Sequence, residues 1–161
     1  MSVAKRLREH LDSRKVKYVV VTHSQAFTAQ EIAASMHVPG KEMAKTVVVK
    51  TPRGLALGVV RAMDKVDVER IAAKLGVDEA RLATEQEFRD QFPDCEMGAM
   101  PPFGSLYNVP TVVDEELTRD REIVFNAGSH VEAMRMSYSD YVAVAGPIVG
   151  RITLELTGAR P

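Results

Sequence analysis

The stretch KTVVVKTPRGLALGVVR, residues 45–61, constrains the fold more than any other part of the chain. Two apolar, β-rich runs flank Thr51-Pro52-Arg53-Gly54. Proline presets one turn dihedral and glycine accepts positive φ, so the two runs are predicted to pair as a β-hairpin.

The segments around the hairpin alternate between helix and strand signals. Val3, Leu7 and Leu11 recur at helical spacing and predict an amphipathic helix over 3–14. Residues 17–21, KYVVV, are too short and too β-branched for a helix and read as a strand. Thr28 and Glu31 form a capping box for a helix from about Ala29 to His37, stopped by Pro39-Gly40. Asp67 caps a helix ending near Leu75, with Gly76 as its stop. Thr84 and Glu87 form a second capping box, for a short helix that Pro93 ends. Strands are predicted at Leu106–Val113 and Ile123–Phe125. A last helix starts near Ser137, with Asp140 at its third position, and breaks at Gly146-Pro147. This order, free of repeats and linkers, predicts one α+β domain over 1–161 with a mixed sheet rather than a doubly wound parallel one.

Composition excludes several classes. With 161 residues, 45% hydrophobic and 27% charged, the chain suits one globular domain with a sizeable core. No apolar run nears the roughly 20 residues that cross a bilayer. The N-terminus, MSVAKRLREHLDSRKVKYVVV, lacks the apolar core of a signal peptide, so a cytoplasmic protein is the expectation. The net charge of −1 hides an asymmetry: residues 1–53 carry +6 and residues 54–161 carry −7. The basic third suits a polyanion or, equally, a solvated surface.

Phosphate-loop, dinucleotide, zinc-protease and nucleophile-elbow motifs are absent. Cys95 is the only cysteine, so no internal disulfide or thiolate metal cluster can form. It sits between Asp94 and Glu96, whose charge disfavours a thiolate. The histidines His10, His23, His37 and His130 lack ligand spacing, and neither metal nor other cofactor is expected. His23, between a strand and a helix, either lines a cleft or holds a structural hydrogen bond. Lys45 either snorkels to water from the strand edge or points its ammonium into a cleft, where it can bind phosphate or polarise a carbonyl. Asn126, Gly128, Ser129 and His130 form a polar turn after the strand ending at Phe125, a common place for binding groups.

The stretch GAMPPFG, residues 98–104, has almost no reactive side chains. Pro101 and Pro102 fix the backbone, while Gly98 and Gly104 permit close approach of a ligand. A loop so stiffened can hold N–H groups around a developing oxyanion, or simply connect a helix to a strand.

AKTVVVK, GAMPPFG and NAGSH, in this order and spacing, resemble the YbaK/ProXp family of free-standing aminoacyl-tRNA editing proteins. These are similar to the editing insertion of bacterial prolyl-tRNA synthetase. The resemblance covers roughly residues 3–150. It implies a mixed, partly barrel-like sheet surrounded by helices, and hydrolysis of the ester between a wrong amino acid and tRNA. It implies catalytic roles for Lys45 and Gly98, the latter opening a Gly-x-x-x-Pro loop that closes at Pro102. It places His130 near the aminoacyl pocket, as a histidine is in some members; with it, Met100, Pro101, Pro102, Phe103 and Gly104 of the loop, Asn126, Gly128 and Ser129 of the polar turn, and His23 are the candidates to bind substrate. The partner implied is the acceptor end of a mischarged tRNA, with prolyl-tRNA synthetase or an elongation factor as further partners, and neither DNA nor a membrane. Two other readings fit the same residues: a non-catalytic module binding aminoacyl-tRNA or a synthetase, and a hydrolase of small acyl esters.

Overall fold

The computed structural model describes residues 4–23, Glu31 and 43–154. The hairpin forms as expected. β2 (Ala44–Thr51) and β3 (Gly54–Arg61) pair antiparallel in unbroken register from Ala44–Arg61 to Thr51–Gly54. Gly54 has φ +115°, and the Thr51 hydroxyl donates to its carbonyl at 2.9 Å, closing the turn. β1 (Val19–Thr22) lies in a different sheet.

Local signals placed the helices. α1 (Lys5–Ser13) buries Leu7 and Leu11. Of the helix expected from Ala29 to His37, only Glu31 falls within the described residues. α2 (Val68–Leu75) starts where Asp67 accepts hydrogen bonds from the Glu69 and Arg70 N–H groups, and stops at left-handed Gly76. α3 (Glu85–Phe88) opens with the Thr84–Glu87 capping box and tightens into a 3-10 turn, Arg89–Gln91, before Pro93. α4 (Tyr138–Ala145) is capped by Ser137, which accepts from Asp140 N–H, and ends at left-handed Gly146.

Strand boundaries moved more. The run expected over Leu106–Val113 is strand only at β5 (Thr111–Asp114). Gly104–Tyr107 winds into a 3-10 turn instead, which Asn108 ends at φ +61°. The segment after it was expected to end at Phe125, but β6 (Glu122–Ser129) runs on through Asn126, Gly128 and Ser129. A register shift between Asn126 and Ser129, with Gly128 at φ +100°, lets the strand continue past this polar sequence. β7 (Glu132–Ser137) and the short strands β4 (Arg81–Leu82) and β8 (Ile148–Gly150) carry no clear local signal.

The strands form two open sheets, ordered β1-β7-β6 and β4-β2-β3-β5-β8. The second is mixed: β3 pairs β2 antiparallel and β5 parallel. A single parallel bridge, Met43–Val124, stitches the sheets together. Both line one main core, with Ala44, Val48, Leu57 and Val59 from one and Ile123, Phe125, Met134 and Met136 from the other. Two sheets sharing a core are the form taken here by the partly barrel-like sheet. The far face of the five-stranded sheet buries Val49, Val60 and Val112 beneath Ile71 of α2.

α1 is fastened to the end of β6. Ala4 N–H donates to the Ala127 carbonyl at 2.8 Å, and a Cβ on Gly128 would lie 2.6 Å from the Ala4 Cβ. Gly128→Ala is therefore expected to destabilise the chain by about 2 kcal/mol or more, combining overpacking with a disfavoured φ. Urea unfolding measures this, and a variant as stable as the parent would contradict the packing described.

Candidate active site

The first half of the Gly-x-x-x-Pro loop is clamped to the end of β6. Glu96 N–H donates to the Gly128 carbonyl at 2.8 Å, and Gly128 N–H donates to the Ala99 carbonyl at 2.8 Å. Ala99 N–H returns to the Glu96 carbonyl at 3.0 Å. The Glu96 carboxylate accepts from His130 N–H at 2.7 Å, and His130 Nε2 lies 2.6 Å from the Met97 carbonyl. A carbonyl only accepts, so Nε2 carries the hydrogen, an arrangement that in the neutral imidazole leaves the lone pair on Nδ1.

Gly98 stands exposed at the apex of this clamp. Its φ of +85° favours glycine, and a Cβ there would lie 3.4 Å from His130 Cε1. Among the described residues no acceptor takes the Gly98 N–H. The structure thus brings Gly98 and His130 together.

The second half of the loop is an anchor. Phe103 is fully buried, edge-on to Phe125 and Tyr141 at 5.6 and 5.2 Å between ring centroids. Pro102 offers its carbonyl to the Tyr141 hydroxyl at 2.9 Å. Gly104 N–H is taken by Thr111 Oγ1 at 2.9 Å, and a Cβ on Gly104 would collide with the Val109 carbonyl. Met100, Pro101 and Pro102 are buried as well. Phe103 and Gly104, expected to touch substrate, lie within the core with the rest of the loop's trailing half.

α1 braces the loop from behind. Arg6 N–H donates to Asp94 at 2.9 Å, its guanidinium donates to the Leu106 carbonyl at 3.1 Å, and it lies 5.2 Å from the centre of the Tyr107 ring. Burial works to raise the Asp94 carboxyl. Hydrogen bonds from Arg6 N–H and the Tyr107 hydroxyl prevail and hold it below its usual value.

Three of the remaining residues hold the polar turn together. Gly128 makes room for Ala4 and spends its own N–H and C=O on the clamp. Ser129 is fully buried and accepts from Val131 N–H at 3.1 Å. His23 is also buried and donates its N–H to the Val131 carbonyl at 2.7 Å, beside the same turn.

Lys45 lies in β2 opposite Val60 and is partly buried. Its ammonium forms no hydrogen bond or ion pair with a described residue, though its charge acts on Asp64, whose carboxyl burial raises. Alternation along β2 sends Ala44 and Val48 to the main core and Lys45 to the other face. Both strands leave the Met43–Val124 bridge in the same direction. Lys45 and Asn126, each two residues on, therefore share a face, beside the apolar cluster of Met43, Val124 and Ala133. The Asn126 Oδ1 is buried and lacks a hydrogen-bond partner among the described residues. No described contact joins Lys45 directly to the Gly98 loop; β6 links them, with Asn126 part-way along and the clamp at its end.

Glu96 is the residue that sequence reasoning missed. It figured only as a charge beside Cys95, although an acidic side chain just before a rigid glycine loop is suited to accepting backbone N–H groups. Among the described residues, no three His, Cys, Asp or Glu side chains are grouped to hold a metal ion. No helix among them is long and apolar enough to cross a membrane.

Comparison with known proteins gives the class of the protein. The family model described as an aminoacyl-tRNA editing domain matches residues 23–144, and the chain belongs to that family. The chain is similar to the multifunctional Ser/Thr-tRNA deacylase ProXp-y of Escherichia coli (strain K12), 29% identical over 147 residues, covering 88% of this chain and 87% of that one. It also matches a proline–tRNA ligase of Xanthomonas axonopodis pv. citri (strain 306), 28% identical over 107 residues, or 65% of this chain and 19% of the ligase. The crystal structure of a candidate trans-editing enzyme for prolyl-tRNA synthetase has the same fold, with a TM-score of 0.79 at 24% identity, covering 94% of this chain and 97% of that one. The activity is that of an aminoacyl-tRNA deacylase, a carboxylic ester hydrolase.

Cys95 is poorly suited to act as a nucleophile. Burial pushes its thiol up to about 12, and Sγ lies 3.3 Å from the Tyr107 hydroxyl. At pH 8 its alkylation is expected to run on the order of 100-fold slower in the native protein than in urea. Equal rates would contradict the burial, and loss of deacylation in Cys95→Ser would contradict a thiol-independent reaction.

Proposed function

We propose that this deacylase acts in trans, in the cytoplasm, on tRNA for proline that carries a small wrong amino acid such as Ala, Cys or Ser. The observation that carries the reading is the N–H of Gly98, an exposed residue, which no described acceptor takes and which a clamp flanks on both sides. An aminoacyl ester is already activated, so a positioned water and a stabilised oxyanion suffice. Water attacks the carbonyl carbon, and the negative charge gathers on the carbonyl oxygen against the Gly98 N–H. The tetrahedral intermediate then collapses. The bond to the terminal ribose oxygen breaks, that oxygen takes a proton, and the amino acid leaves free tRNA.

Lys45 supplies the positive charge, to the carbonyl oxygen or to the terminal phosphate. The His130 Nδ1 lone pair can accept a hydrogen bond from the attacking water or the ribose 2′-hydroxyl. Asn126, with its unpaired Oδ1, can accept from the substrate's α-ammonium. The anchored residues Met100 to Gly104 hold the loop in shape. A small pocket admits short side chains and excludes proline, as in double-sieve editing. Likeness to a proline–tRNA ligase supports tRNA for proline, with the synthetase itself as a candidate partner. The name of the Escherichia coli relative adds Ser and Thr to the amino acids to be tested.

Lys45→Ala separates this reading from a solvated lysine. Deacylation of the preferred mischarged tRNA is expected to fall on the order of 100-fold, as for loss of one oxyanion donor. Stability should move by less than about 0.5 kcal/mol. Lys45→Arg should rescue poorly, because a planar fork does not occupy the place of a compact charge. Single-turnover deacylation beside thermal melts measures both. A variant that melts normally and deacylates at the parent rate removes Lys45 from the mechanism. Binding of mischarged tRNA without turnover by the parent protein would favour a binding module instead.

A further inference from the structure

Glu96 engages the loop through three separate groups. Its N–H reaches Gly128, its carbonyl receives Ala99, and its carboxylate takes the His130 N–H at 2.7 Å across 34 residues of sequence. The Gly98 apex is thus bounded on one side by Glu96 and Met97, and on the other by Ala99, whose carbonyl is held by Gly128. The His130 ring closes the frame by donating Nε2–H to Met97.

We infer that Glu96 is a positioning residue for deacylation: its carboxylate locks the His130 turn onto the loop, fixing the direction of the Gly98 N–H and the tautomer of His130. This rests on the reading of Gly98 as the oxyanion donor. The physical case is that the Glu96 side-chain oxygen, held on the loop by the residue's own backbone bonds, accepts the His130 N–H at 2.7 Å and leaves that turn little freedom to reorient. Without that bond the His130 backbone is tied to the loop only through the Gly128 pair two residues away, and its own position is no longer fixed. The Nε2–H to Met97 contact then loosens with it, and nothing remains to hold the proton on Nε2. Displacing a donor by about 1 Å is enough to cost on the order of 100-fold in rate.

The role requires an acceptor at one place, rather than a charge. A glutamine at this position retains an Oε1 that can accept the His130 N–H, whereas alanine retains nothing. An aspartate is one methylene too short to span the same gap.

The test compares Glu96→Ala, Glu96→Gln and Glu96→Asp with the parent and Gly98→Ala, by single-turnover and steady-state deacylation of one mischarged tRNA. Nitrogen-15 spectra of the His130 ring and amide exchange at Gly98 are recorded alongside. Glu96→Ala and Glu96→Asp are expected to lose about 10- to 100-fold in kcat with KM nearly unchanged. Their His130 ring should shift from the Nε2–H signature towards averaged tautomers, and Gly98 exchange should quicken. Glu96→Gln should stay close to the parent in all three readouts. If Glu96→Ala does not fold, Glu96→Asp carries the comparison.

An unchanged His130 signature in Glu96→Ala overturns the inference, as does a parent-like kcat when Gly98→Ala is inactive. If Gly98→Ala, which keeps the N–H but strains the backbone at φ +85°, is itself fully active, the direction of that N–H does not limit the rate and the positioning role of Glu96 fails. Failure of rescue by Glu96→Gln also counts against it, since the carboxylate charge and not its geometry would then matter.

Discussion

The pair of hydrogen bonds at Gly128 is the constraint on which the site depends. Gly128 gives its N–H to Ala99 and its carbonyl to Glu96, so a strand end and a loop become one rigid piece. That is possible only because the strand bulges there with φ +100°, and because α1 packs Ala4 into the space a side chain would fill. Without the bulge, the N–H and C=O of residue 128 would continue the β6–β7 ladder. Without α1, the bulge would face water. The Gly98 apex inherits its fixed direction from this junction.

The two sheets divide the remaining work. The five-stranded sheet carries Lys45 on a stiff, fully paired hairpin, and the three-stranded sheet carries Asn126 and the clamp. The Met43–Val124 bridge sets how far apart the two halves stand. Anchoring of Phe103 among Phe125 and Tyr141 fixes the trailing half of the loop in the core between them. Positioning of this kind suits hydrolysis of an activated ester, for which little beyond geometry and charge is required.

What could be read from the sequence was whatever a few neighbouring residues decide. The caps at Asp67, Thr84 and Ser137 and the turn at Thr51–Gly54 are local chemistry, and each appears where expected. The strand β7 was hidden because EAMRMS is poor in β-branched residues; it exists through pairing with β1 and β6. Asn126 and Ser129 read as a turn because polar residues beside glycine usually are one, and only the bulge shows that they continue a strand. Phe103 and Gly104 looked available to a ligand because burial is set by partners such as Tyr141 and Thr111, distant in sequence. Glu96 was silent for the same reason: its meaning lies in His130.

The central claim is that a backbone N–H at Gly98 meets the oxyanion. A crystal structure with a phosphonate analogue of an aminoacyl-adenosine ester tests it most directly, since the phosphonyl oxygen occupies the place of the oxyanion. The account expects the Gly98 nitrogen within about 2.7–3.1 Å of that oxygen, with the Lys45 ammonium turned to the same ligand and the Glu96–His130 contact intact. An analogue bound with its phosphonyl oxygen away from Gly98, or seated in the polar cleft of Arg61, Asp64 and Arg119 instead, would contradict it.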